Sequence, residues 1–63
     1  MKKYYLVTTK FYDNGRVETS MRTEEHKDKP KDDSDNTDEC DIYYDWFTRE
    51  RDAKAWQKDA LNA

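Results

Sequence analysis

"FYDNGRVE", residues 11–18, is the stretch on which the fold turns. Asn14-Gly15 between two β-rich runs reads as a hairpin turn. The loop length follows from the side chains on either side. A two-residue loop pairs Phe11 with Glu18 and Val7 with Arg22, which mixes apolar and charged groups on one face. A three-residue loop, Asp13-Asn14-Gly15 with Gly15 left-handed, moves the pairing by one. Phe11 then faces Val17, Thr9 faces Thr19, Val7 faces Met21 and Tyr5 faces Thr23. On the other face Lys10 meets Glu18, Leu6 meets Arg22 and Tyr4 meets Glu24. A one-residue slip inverts every side chain, so this agreement selects the three-residue loop.

Around the hairpin lies a chain of 63 residues, one small domain's worth. A chain this short buries only about 60% of the surface that its unfolded form exposes. Its charged fraction, 43%, exceeds its apolar fraction, 33%, a balance that by itself suggests disorder. Five Tyr, two Trp and two Phe argue the other way. They cluster at residues 4–12 and 43–56, where large rings supply more buried area per residue than aliphatic side chains.

The net charge of −3 conceals an asymmetry. Residues 1–23 carry five basic and two acidic side chains, whereas residues 24–45 carry three basic and ten acidic, net −7. Such a field repels nucleic acid and anionic lipid and attracts basic protein surfaces. Lys2, Lys3, Lys10, Arg16 and Arg22 do interleave with Tyr4, Tyr5 and Tyr12 like a stacking surface for nucleic acid. The neighbouring acid opposes the phosphate neutralisation on which such binding depends. No apolar run approaches the roughly 18 residues of a membrane span. The single cysteine, Cys40, allows no internal disulfide, and a reducing, cytoplasmic setting is the expectation.

From Glu24 to about Glu39 nothing alternates and nothing is apolar, and Pro30 cannot donate to a ladder. This predicts a long, flexible acidic loop over 25–39. "CDIYYDWF", residues 40–47, alternates again and predicts a third strand. Its Cys40, Ile42, Tyr44 and Trp46 side is expected toward the core. Thr48 is placed to cap a helix over 48–62, in which Ala53, Trp56 and Ala60 share a face. The expected class is α+β: a hairpin over 1–24, a third strand after the loop, and one C-terminal helix across a mainly antiparallel three-stranded sheet. Its core would contain Tyr5, Val7, Phe11, Val17, Met21, Ile42, Tyr44, Trp46 and Trp56.

Catalytic and metal chemistry find little support in the residues. Asp33, Asp35 and Thr37 have the alternate spacing of an EF-hand's first ligands, but Asp38 stands where the glycine is required and Tyr44 where the bidentate Glu belongs. His26, the only histidine, falls in the polar loop and reads as a surface residue. Cys40 reads as a small buried hydrophobe, since its acidic neighbours Glu39 and Asp41 disfavour a thiolate. Asp41 and Asp45 project from one side of the third strand, without the concave pocket that tunes catalytic carboxyls. No cofactor, no metal and no enzymatic activity are expected.

The aromatics left outside that core are more suggestive. Tyr4, Leu6, Tyr12, Tyr43 and Phe47 fall on the second face of the sheet or at its ends, and Tyr is favoured at protein interfaces. The strand-and-turn pattern of "KYYLVTTKFYDNGRVE" with the later "DIYYDWF" resembles short accessory proteins carried by phages and prophages of gut and related bacteria. The resemblance covers both ends of the chain and contains no catalytic motif. It implies a mobile-element setting, in which small proteins often bind and redirect host proteins, anti-CRISPR and anti-restriction inhibitors among them. Two ways to bind a protein partner stay open. In one, Tyr4, Leu6, Tyr12 and Tyr43 make the contact and the acid is a solubilising tether. In the other, Asp32, Asp33, Asp35, Asp38, Glu39 and Asp41 imitate nucleic-acid phosphates toward a basic groove. Self-association through tyrosine faces or free strand edges, as in a homodimer, is a third arrangement.

Overall fold

The computed structural model describes residues 1–62. In chain order come β1 (Lys2–Tyr12), β2 (Val17–His26), β3 (Asp33–Asn36), β4 (Cys40–Phe47) and α1 (Glu50–Asn62). The strands form one antiparallel sheet in the order β2-β1-β4-β3, with α1 packed against it. The class is α+β, but the sheet has four strands where the sequence predicts three.

The β1–β2 hairpin takes the expected register. Phe11 faces Val17, Val7 faces Met21, Lys10 faces Glu18 and Tyr4 faces Glu24. Tyr12 N–H donates to the Arg16 carbonyl at 2.8 Å and closes the loop over Asp13-Asn14-Gly15. Gly15 has φ +88°, a left-handed conformation that costs other residues about 1–2 kcal/mol. Asn14 Oδ1 accepts the Arg16 N–H at 2.9 Å and fixes the exit from the turn.

β4 corrects the expected core. It lies against β1 with Leu6 opposite Trp46, Thr8 opposite Tyr44 and Thr9 opposite Tyr43. Cross-strand partners share a face, so Cys40, Ile42, Tyr44 and Trp46 join Tyr4 and Leu6. The other face combines Tyr5, Val7, Thr9 and Phe11 with Asp41, Tyr43, Asp45 and Phe47. α1 packs on that second face, with Ala53 and Ala60 buried and the Gln57 side-chain amide donating to Thr19 Oγ1 at 3.3 Å. Val7 is fully enclosed there, a burial contributing about 1.5–3 kcal/mol. Trp56, expected in the core, keeps 40% of its surface exposed. The helix lies over β1 and β2 and reaches less of β4, which leaves the β3–β4 half open.

The acidic segment is also more ordered than its composition predicts. β2 runs on to His26, and residues 33–36 pair with β4, Asp33 opposite Tyr44 and Asp35 opposite Ile42. Alternation cannot reveal a strand that is exposed on both faces, as β3 is throughout. The helix begins later than expected. Ala53 N–H donates to the Arg49 carbonyl at 3.2 Å, so Arg49 occupies the cap position assigned to Thr48.

Nothing lies within 4 Å of a Cβ built on Gly15, so Gly15→Ala isolates the conformational cost. The variant is expected to lose about 1 kcal/mol, which lowers the melting temperature by about 4–8 °C in a domain this size. Gly15→Asn should lose less, because Asn tolerates the left-handed region. Thermal denaturation that leaves the alanine variant at the parental midpoint would contradict this reading of the turn.

Candidate interaction surfaces

The helix-free face is more filled than the sequence suggests. Tyr4 and Leu6 are only 5% and 7% exposed, and Tyr12 is half-buried. Tyr43 lies on the helix-bearing face, because it pairs with Thr9. Tyr4, Leu6, Tyr12 and Tyr43 therefore do not form one exposed tyrosine surface. What encloses Tyr4 is partly His26, which is not a loose surface residue. Its ring stands edge-on to Trp46 at 5.2 Å and lies 6.5 Å from Tyr4, while Nε2 meets Glu24 Oε1 at 2.9 Å. At the other end of this face, the Tyr12 hydroxyl interacts with the Glu18 carboxylate. That contact, then burial and the Glu18 charge, raises its phenol pKa.

The carboxylates occupy one edge and one end of the sheet. Asp32 Oδ1 accepts the Trp46 backbone N–H at 2.8 Å and pins the start of β3 to β4. Asp33 and Asp35 accept the N–H groups of Ser34 and Asn36 at 2.7 and 2.8 Å, which leaves each carboxylate charged and exposed. Asp38 and Glu39 form the β3–β4 turn, held by Thr37. Its Oγ1 accepts from the N–H groups of Glu39 and Cys40 at 3.3 and 3.2 Å. Asp13 N–H donates to the Glu39 carbonyl at 3.1 Å, bringing a further acid alongside. A depression there is lined by Tyr12, Asp13, Asn14, Asp38 and Glu39.

Between Asp32 and Asp45 the chain has seven acidic residues and no basic one. Among the described residues, the ion pairs join Arg16 to Glu18, Arg22 and His26 to Glu24, and Lys54 to Glu50. None of them neutralises the β3–β4 acid. Among the same residues no three His, Cys, Asp or Glu side chains converge as metal ligands. Cys40 is buried beneath Thr37, with Sγ 3.5 Å from its hydroxyl.

On the helix-bearing face, Phe11, Asp41, Tyr43 and Trp56 line a recess of about 260 Å³. Phe11 and Tyr43 meet edge to face at 5.7 Å, and Tyr43 is 42% exposed. Local sequence patterns could not reveal it, because the β4 register and the offset helix together create it. A polar shelf of Ser34, Asp35 and Asn36 adjoins it through the shared Asp41 and Tyr43.

Asp41 and Asp45 share this face but not their surroundings. Asp41 is exposed, whereas Asp45 is half-buried with Oδ2 sealed from solvent and unpartnered among the described residues. Burial raises the Asp45 pKa first and the Asp32 charge adds to it, while the Trp56 indole pulls the other way. The folded protein thus retains a proton that the unfolded chain releases near pH 4, and stability falls as pH rises from there through the raised value. Asp45→Asn is expected to raise the melting temperature at neutral pH by about 4 °C and to flatten the slope in that window. A lower midpoint with the slope intact would mean that a favourable partner holds the Asp45 anion.

Among the described residues no helix is long and apolar enough to cross a membrane. No protein-family model, curated protein or solved structure matches the chain.

Proposed function

We propose that this protein is a non-catalytic interaction domain that presents its acidic β3–β4 edge to a basic, nucleic-acid-binding surface of another protein. The observation that carries the reading is the unneutralised acid on an ordered strand, Asp33 and Asp35, continued by Asp38 and Glu39 in the turn. A mobile acidic loop would have to be ordered on binding, at a cost in free energy. Here the hairpin pairing of β3 with β4 meets that cost during folding. Fixed like charges imitate a row of phosphates, and their field raises the rate of encounter with a basic groove about tenfold or more at low salt.

The tether reading of the acid fits less well, since a tether has no need of Thr37 and Asp32 to hold it in register. The tyrosine reading changes place, because the exposed aromatic area lies at Tyr43 and Trp56 on the helix side. In the mobile-element setting that the strand pattern resembles, a host defence nuclease has the required basic groove. An inhibitor of the anti-CRISPR or anti-restriction type is the form such a protein takes.

The test compares the natural chain with a variant carrying Asp33→Asn, Asp35→Asn, Asp38→Asn and Glu39→Gln. Asp32 is left in place because it holds Trp46. The natural chain, immobilised, should retain nucleic-acid-binding proteins from bacterial lysate and release them to added duplex DNA. The variant should bind the identified partner at least tenfold more slowly at low salt and lose most of the salt dependence. Equal association by both chains, or a partner that DNA does not displace, would sink the proposal.

A further inference from the structure

We infer that the recess between β4 and α1 is a binding site for an arginine side chain of the basic partner, an assignment that rests on the acidic-edge reading and gives it a specific anchor. The recess has three aromatic walls, Phe11, Tyr43 and Trp56, and a carboxylate, Asp41, on its lining. A cation over an aromatic face is attracted by the ring quadrupole, most strongly by Trp. Arginine combines this with a planar fork that grips a carboxylate through two hydrogen bonds. Asp41 is exposed and has no cationic partner among the described residues. The chain's own cation–aromatic contact, Lys3 over Tyr5 at 5.9 Å, belongs to the opposite end of β1.

Size and surroundings narrow the occupant. At about 260 Å³ the recess lies below the roughly 300–1,000 Å³ of small-molecule sites and suits one long side chain. Asp41 also lines the neighbouring shelf, whose other residues, Ser34, Asp35 and Asn36, belong to the edge strand, so the approach to the recess runs past the acidic edge. An apolar side chain would fit the rings but leave Asp41 desolvated without a partner. The Trp56 and Tyr43 exposures, 40% and 42%, show that the walls are accessible without rearranging the helix.

The experiment titrates the ¹⁵N-labelled full chain with a short blocked peptide in which arginine alternates with glycine. Matched peptides carry lysine or the neutral isostere citrulline at the arginine positions. The Trp56 indole N–H resonance should shift on adding the arginine peptide, while that of Trp46, on the other face, stays still. Affinity should fall severalfold for lysine and at least tenfold for citrulline. Tyr43→Leu and Asp41→Asn, both at exposed positions, should each remove most of the preference for arginine while leaving the far-ultraviolet circular dichroism unchanged.

Equal binding of arginine and lysine peptides, or a preference that survives Tyr43→Leu, would overturn the recess assignment. The edge variant separates the two ideas. If it alone weakens both cationic peptides, the acidic edge binds and the recess does not. If only the recess variants matter, the recess binds and the edge reading fails. Absence of binding by all three peptides overturns the recess assignment.

Discussion

The pairing of Leu6 with Trp46 across β1 and β4 decides what each side of the sheet can be used for. β1 is hydrogen-bonded along both edges, and its alternation sends Tyr4 and Leu6 one way and Val7 and Thr9 the other. All four are buried. A four-stranded sheet with one helix can cover only one face with secondary structure, so the second face must be closed by its own side chains. Trp46, His26 and Tyr4 do that, and the register of β4 supplies the tryptophan. The same register delivers Asp41, Tyr43, Asp45 and Phe47 to the helix, a set with two carboxylates where an apolar stripe would pack better.

That face also leaves buried side-chain oxygens without partners. Thr9 Oγ1 and Asp45 Oδ2 are both buried on the helix-bearing face and unpartnered among the described residues. Each unsatisfied group of this kind costs about 1–3 kcal/mol, a sizeable part of the few kcal/mol that a domain this small can hold in reserve. The helix adapts through small residues: Ala53 and Ala60 let it approach β1 closely, and Trp56 is left leaning over the β4 side. The exposed indole and the open half of the face therefore have one cause, a helix set over β1 and β2 above a β4 that does not offer a uniform apolar surface.

Much of the hairpin was legible in the sequence because each local signal agreed with the next. Asn14-Gly15 fixed the turn, and the mixed faces produced by a two-residue loop eliminated the competing register. β4 was legible as a strand but not in its orientation. Both of its faces carry aromatics, so amphipathicity alone could not say whether Tyr44 and Trp46 or Tyr43 and Phe47 meet the helix. That depends on a long-range pairing with β1 that leaves no periodic trace. β3 was invisible for a different reason: Asp33-Ser34-Asp35-Asn36 has poor strand propensity, and its pairing derives from the Thr37 turn and the Asp32 contact. The concentration of acid was plain in the sequence; its placement on a paired edge strand was not.

The acid also answers a problem created by the architecture. An open sheet presents a free edge that another copy could extend. On β3, the Ser34 and Asn36 N–H groups are already taken by the carboxylates of Asp33 and Asp35, so two of the strand's donors cannot template a neighbour. A second copy approaching by this edge would also bring its own β3 acid against it, and nothing in the local ion pairs would screen the repulsion. Such an edge opposes self-pairing and attracts a cationic surface with the same charges. On the function proposed above, the acid on its paired strand and the accessible aromatics beside it divide the task by range: the long-range field would select and orient a basic partner, and the short-range recess would distinguish the side chain that arrives.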